Sequence, residues 1–166
     1  MRAEPGTGVV LSPGVKELGF ITAFLLLATG ACSRGKSGQT AEDQLLLKAV
    51  EAIGAESASA GFSSELCQLS QEHLDYMIAQ KEISHDNFQS RSGSIQTRGA
   101  KKTGEIVASN CGLASAEGAA KQCAASWEDS PKHRELMRQT WGTACYQMKL
   151  GEGGCYFCIG FFANGL

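Results

Sequence analysis

The sequence carries almost no excess charge of either sign: 15 lysines and arginines stand against 17 acids, a net of −2 over 166 residues. Nucleic acid or an anionic surface is met by a concentrated basic footprint, and this balance supplies none, so no nucleic-acid partner is expected. The chain also lacks an apolar run of bilayer length. A spanning helix needs about 20 apolar residues, whereas Leu18 to Ala31 is shorter and meets Ser33, Arg34, Gly35 and Lys36 almost at once. There is no internal repeat, and histidine is scarce, with three in all. What remains, 43% hydrophobic residues in a chain of this length, suits one compact domain with a real core.

The short apolar run has a positive flank at Lys16 and closes on small residues before Cys32, which is the layout of a secretory signal peptide. The expected organisation is therefore a signal over residues 1–32, a flexible Gly/Ser/Lys tether over 33–40 and a single domain over 41–166. A retained anchor is the rival reading. Thr29-Gly30-Ala31-Cys32 also resembles a loose bacterial lipobox, with Thr29 where a large aliphatic residue is usual. On that reading a lipidated Cys32 holds the protein on the envelope; otherwise it is secreted. The Gly- and Pro-containing stretch before Lys16 fits no part of a signal, as an overlong start would leave. Export takes away Arg2, Lys16, Glu4 and Glu17, so the net charge is unchanged.

Besides Cys32 there are six cysteines: Cys67, Cys111, Cys123, Cys145, Cys155 and Cys158. An even six in an exported chain reads as three disulfides. Cys155-Tyr156-Phe157-Cys158 raises zinc as an alternative, but a structural zinc site normally has a second close pair, which Cys111 and Cys123 do not form. A redox role would place the motif at a helix N-terminus, whereas here it lies in a strand-like run. Connectivity stays open, with Cys145 to Cys155 or Cys158, across a hairpin, as the favoured pairing.

Thr40 followed by Asp43 is a helix start, and Leu46, Ala49, Val50 and Ile53 repeat at helical spacing up to Gly54. Leu66, Leu69, Ser70, His73, Leu74, Met77 and Ile78 share one face of a second, strongly amphipathic helix after Gly61-Phe62-Ser63. From Asp86 to Gly104 the chain is polar and glycine-punctuated and reads mostly as loop with one helical turn, with a short ordered segment beginning at Glu105. Ser115 caps a third helix with a stripe of Ala116, Ala119, Ala120, Cys123 and Trp127, and Ser130-Pro131 opens a fourth. Ala144, Tyr146, Met148 and Leu150 alternate as a half-buried strand. A turn at Gly151 to Gly154 leads into Cys155 to Ala163, a run that suits a strand buried on both faces. The order predicts an α+β fold, helices covering a small antiparallel sheet.

His73 falls on the apolar face of the second helix and reads as a packed, hydrogen-bonded core residue. His85 begins the loop after that helix, ahead of Asp86, Asn87, Phe88 and Arg91, where a rigid element presents it. His133 is the third residue of the fourth helix, a position that disfavours the imidazolium and leaves a ring able to bind metal or a proton. Glu105 stands between Gly104 and Ile106 at the mouth of an apolar segment.

Ile83-Ser84-His85 after an amphipathic helix, Gly104-Glu105-Ile106 after a loop, and Trp127 with Ser130-Pro131-Lys132-His133-Arg134 follow the order and rough spacing of the CAP superfamily, the cysteine-rich secretory or SCP-like domains, over about Leu45 to Phe162. The resemblance implies an α-β-α sandwich with a central cleft. There His85, Glu105 and His133 match residues that line the cleft and hold a divalent metal, often zinc. Two imidazoles and a carboxylate make an open site with room for water. Two positions depart from the family: Ile106 replaces a polar asparagine, and Ser130 stands where a second glutamate is usual, with Glu128 and Asp129 the nearest acids.

The resemblance also implies an extracellular ligand of lipid or sterol type, bound without catalysis. No serine or free cysteine stands beside His85 or His133 as a nucleophile. A zinc-assisted hydrolase, with His85 and His133 on the metal and Glu105 activating water, is the reading from another class. A structural cleft in an envelope interaction module is the third.

Overall fold

The computed structural model describes residues 38–166; the expected signal peptide, Cys32 and most of the tether lie outside the described residues. Helix α1 (Ala41–Ala52) starts where the sequence places it, because Thr40 and Asp43 form a reciprocal cap. Thr40 Oγ1 accepts from the Asp43 amide at 3.1 Å, and Asp43 Oδ2 accepts from the Thr40 amide at 2.9 Å. The other Asp43 oxygen accepts from the Met148 amide at 2.9 Å, so the cap also pins the helix to the sheet. Leu46, Ala49 and Val50 are buried.

A 3-10 turn (Glu56–Ser59) and a two-residue strand, β1 (Gly61–Phe62), precede α2 (Ser64–Gln80). Neither was legible in a stretch that reads only as a lead-in to the helix. The region expected to be mostly loop instead contains α3 (Phe88–Gln96). Its inward residues are Arg91, Ser92 and Ile95, and two of these three are polar, so no apolar stripe announces the helix. Ser92 is satisfied by Thr103, hydroxyl to hydroxyl at 2.7 Å.

Strand β2 (Lys102–Cys111) follows, then α4 (Ala116–Asp129), α5 (Pro131–Met137), β3 (Thr143–Leu150) and β4 (Cys155–Asn164). The sheet order is β1-β3-β4-β2. The β3–β4 hairpin and the β2–β4 pair are antiparallel, but β1 runs parallel to β3, so the sheet is mixed where an antiparallel one was expected. Strand β3 is also more buried than its alternation suggests, since Cys145 and Gln147 are covered as fully as Ala144 and Tyr146.

Both faces of the sheet are covered, which gives the α-β-α sandwich. Ile106, Tyr146, Cys158 and Phe162 pack with Leu46 and Val50 of α1 and with Trp127 of α4. Val107, Phe157 and Ile159 on the other face pack with Leu74 and Met77 of α2. Each large side chain fully removed from water contributes about 1.5–3 kcal/mol. Gly160 sits where these aromatics crowd: a Cβ there would lie 2.9 Å from both Ile106 Cγ1 and Tyr146 Cε1.

Three disulfides join Cys67 to Cys145, Cys111 to Cys155 and Cys123 to Cys158. The favoured pairing of Cys145 with Cys155 or Cys158 is thus incorrect. In the hairpin register Cys145 stands opposite Phe161, far from Cys155. Cys145 and Cys158 point to opposite faces of the sheet, each to a different helix. The CxxC residues enter two separate bridges, so the motif is neither a zinc site nor a redox dithiol.

Candidate functional site

β2 is an edge strand, and Glu105 points from it toward the α2 face. Gly104 lets this part of the strand approach its neighbours, because a Cβ there would lie 3.1 Å from Leu136 and 3.2 Å from the Trp141 ring. At the junction of α4 and α5, Ser130 ends one helix and opens the next. Pro131 at the first position loses no hydrogen bond, since that amide has no helical partner. The chain therefore turns sharply and presents His133 beside His85, which the loop after α2 carries.

Glu105, His85 and His133 meet at this edge. The carboxylate lies within 3.0 Å of His85 Nδ1, and the His85 and His133 rings are edge-on with centroids 6.3 Å apart. A carboxylate only accepts, so His85 Nδ1 carries the proton and, in the neutral ring, Nε2 keeps a free lone pair. The Glu105 side chain is 1% exposed, while that of His85 is 49% exposed. The acid is thus an internal support, and His85 is the face shown to solvent.

Arg91 on α3 completes the arrangement. Its Nε donates to Glu105 Oε2 at 3.0 Å, and its Nη2 donates to Oε1 at 2.8 Å and Oε2 at 2.7 Å. Nη1 donates to the Asp86 carbonyl at 2.6 Å, which ties down the loop that carries His85. A buried carboxylate without a partner costs several kcal/mol, and this guanidinium offsets that cost. Sequence reasoning passed over Arg91 as one of several polar residues behind His85. Only its burial at the end of an unannounced helix gives it a role.

His73 is the packed core histidine expected: it is 3% exposed and its Nε2 donates to the Ser84 carbonyl at 2.7 Å. It lies 3.9 Å from Glu105 Oε1, behind the cluster. Burial lowers the His133 pKa, and neighbouring His85 lowers it further. Solvent exclusion and a second imidazole are therefore the causes, where the helix position alone was expected to act. Glu128, a candidate for the missing second acid, accepts from Arg138 Nη2 at 2.8 Å instead.

Among the described residues, no group of three His, Cys, Asp or Glu side chains is assembled to hold a metal ion. His85 and His133 offer two imidazole nitrogens, while the oxygens of Glu105 are engaged by Arg91 and His85. Those two rings are the residues that would hold a divalent ion there, with Glu105 orienting His85 from behind, as carboxylates do for metal-binding histidines. Such an ion would supply a Lewis-acid centre open to an exogenous oxygen ligand.

A second concavity lies between α1 and α4, with a volume of about 490 Å³. Leu45, Ala49, Ala52 and Ile53 line it, with Lys48, Glu117 and Lys121 among them. No helix among the described residues is long and apolar enough to cross a membrane.

No curated protein sequence matches the chain. A similar solved structure is that of an outer surface protein from Borrelia burgdorferi, with a TM-score of 0.59 at 14% identity over 75% of this chain and 93% of that one. At that identity the likeness speaks for the fold alone. The model of the cysteine-rich secretory protein family matches residues 51–152. Three disulfides are the chemistry of an oxidising compartment and are compatible with an extracellular location. With the sandwich, the bridges and that match in agreement, this chain belongs to the CAP family of cysteine-rich secretory proteins.

Proposed function

We propose that the protein is a non-catalytic extracellular binding module that takes a single-chain lipid with an anionic head in the groove between α1 and α4. The observation that carries this reading is the groove itself: about 490 Å³, walled by Leu45, Ala49, Ala52 and Ile53 and edged by cations. Ligand pockets of this size are mostly apolar with a few polar groups that set orientation. Lys121 is occupied by Glu117 at 2.7 Å, whereas Lys48 has no carboxylate partner among the described residues. An acyl chain against the apolar wall and a carboxylate head on Lys48 satisfy both features.

The cleft at the edge of β2 supports the non-catalytic part. A general base needs a free oxygen to take a proton from water. Glu105 accepts from a guanidinium and an imidazole, which argues against metal-assisted hydrolysis with Glu105 as base. His85 and His133 remain as holders of a divalent ion. The same network favours a second reading, in which the cleft is a structural lock among α3, β2 and the loop after α2.

Titration of the disulfide-bonded protein with oleate, followed calorimetrically, tests the proposal, with cholesterol as a second arm. Saturable oleate binding that Lys48→Glu weakens and Ala52→Trp abolishes is the expected result. Binding of neither lipid, or oleate binding indifferent to both substitutions, overturns it. A preference for cholesterol keeps the lipid class and removes the role of Lys48.

A further inference from the structure

The three bridges differ in how far solvent reaches them. Cys67, Cys123, Cys145 and Cys158 are each no more than 7% exposed, so the two bridges that fasten helices to the sheet lie inside the sandwich. Cys111 is exposed and Cys155 is half-buried. Their bridge closes the outer end of the β2–β4 ladder, at the edge strand. Its flanks are bare as well. Gly112 follows Cys111 and Gly154 precedes Cys155, with φ of 72° and 76°, a region that favours glycine. A Cβ at either position would meet nothing within 4 Å. On the outer side of the bridge, therefore, neither cysteine has a neighbouring side chain to shield it.

The register decides what happens when this bond opens. Every residue from Lys102 to Asn110 has a partner on β4, so the two strands stay paired without it. Cys155 also packs against the cluster that holds Leu74, Met77 and Phe157, which keeps it in place. The two sulfurs thus remain opposite one another after cleavage, and a thiol held beside a disulfide attacks it far more readily than one free in solution. Beyond the bridge, β2 and the hairpin turn share the Gly112-to-Gly154 hydrogen bond, at 3.4 Å, so this end of the sheet loosens when the bond is lost.

We propose that Cys111–Cys155 is a thiol-exchange site, which takes a small thiol of the glutathione type onto Cys111 while the rest of the domain stays folded. Exposed disulfides are the labile ones, and buried ones resist. The incoming thiolate attacks Cys111 Sγ, the sulfur of the exposed residue. A new S–S bond joins it to Cys111, the Cys111–Cys155 bond breaks, and Cys155 leaves as a thiolate that takes a proton from water. One thiol and one disulfide are consumed and one of each is formed. Attack by Cys155 on the mixed disulfide reverses the step and expels the small thiol. A second small thiol attacking the first instead leaves Cys111 and Cys155 reduced and the two small thiols joined as their own disulfide. The site does not depend on the lipid groove, so either assignment can fail without the other.

Reduced glutathione, added at millimolar concentration to the disulfide-bonded protein at about pH 8, where a useful fraction is thiolate, tests the proposal. Free thiols are trapped with iodoacetamide, and the products are mapped by peptide mass spectrometry. The expected product carries glutathione on Cys111 and the alkyl group on Cys155, and its far-ultraviolet circular dichroism is that of the parent. It forms at least about a hundredfold faster than either other bridge opens, because those are reached only through local unfolding. Amide hydrogen exchange of the product is expected to rise at residues 111–115 and 151–155 and to stay unchanged in α2. Cys111→Ser combined with Cys155→Ser is expected to take up no glutathione. First opening at Cys67–Cys145 or Cys123–Cys158 overturns the proposal. So does opening of all three together with loss of the circular dichroism signal, the absence of any exchange, or glutathione uptake by the paired variant.

Discussion

Arg91 and Glu105 form a two-pronged ion pair beneath the cleft, with Nε on one carboxylate oxygen at 3.0 Å and Nη2 on the other at 2.8 Å. Neither residue is more than 8% exposed. The pair joins α3 to β2, and through the Asp86 carbonyl it holds the loop that displays His85. The acid that the family pattern brings to notice therefore works as a support, and the arginine that no pattern marks makes this possible.

Removing one partner leaves a buried charge alone. Arg91→Met is expected to destabilise the protein by about 3–5 kcal/mol, whereas Arg91→Met combined with Glu105→Leu recovers most of that loss, because no charge is then left in the interior. Urea denaturation of the two variants at pH 7 checks this. A double variant as unstable as the single one would show that the pair acts through packing.

The two imidazoles predict a metal site of modest strength. Zinc added to chelator-treated protein is expected to bind at one equivalent, and His85→Ala or His133→Ala is expected to remove that binding. Glu105→Gln is expected to weaken it by about 10–100-fold, the usual effect of losing an orienting carboxylate. Calorimetric titration reads all three. Binding unchanged by His133→Ala places the ion elsewhere, and the chelated protein is expected to stay folded because its bridges and core do not involve the site.

Most of the fold was legible because its helices and strands carry strong periodicity. Leu46, Ala49 and Val50 mark α1, and the small-residue stripe ending at Trp127 marks α4. The misses share a cause. Helix α3 buries Arg91 and Ser92, and their partners Glu105 and Thr103 lie on another element, so local sequence cannot show that these polar residues are satisfied. Strand β1 is two residues long and owes its existence to the parallel neighbour it finds at Thr143. Disulfide pairing failed for a similar reason. Cys67 and Cys145 meet only once α2 lies on the sheet, and a bridge across the hairpin is excluded by register for Cys155 and by strand face for Cys158. His85 and His133 were legible through resemblance, since neither residue's surroundings in the chain announce the other.

Acid is expected to weaken the protein through His73. Its pKa is lowered chiefly by burial, with Arg91 and His85 adding to the effect and the Ser84 carbonyl and Glu105 opposing it. The unfolded chain then takes up this proton first as pH falls, so it binds more protons than the folded state. Stability is complete above about pH 6.5 and declines as pH drops below it. His133 acts with the same sign. Asp43, raised by burial, acts with the opposite sign: its contribution is present below pH 3.8 and is lost as pH rises through its raised value. Urea midpoints from about pH 7.5 to about pH 5.5 are expected to fall less steeply in His73→Gln than in the parent. Equal slopes would assign the acid sensitivity to other groups.

The bridges differ in the length of chain they close and in whether the sheet already holds their two ends together, and both set their order of importance. Cys67–Cys145 spans 78 residues and ties α2 to one face of the sheet, while Cys123–Cys158 spans 35 and ties α4 to the other. Loop-closure entropy assigns about 4.5 kcal/mol to the first and about 4 kcal/mol to the second, within the range seen for native bridges. Cys111–Cys155 joins directly opposed residues of β2 and β4, where the sheet already holds the two strands in register. Paired replacement by alanine is therefore expected to cost least at Cys111 and Cys155 and most at Cys67 and Cys145. Thermal unfolding of the three double variants under non-reducing conditions checks the order. If loss of the Cys111–Cys155 bridge proves the most damaging, the sheet depends on that bridge at its β2 edge far more than its hydrogen-bond register indicates.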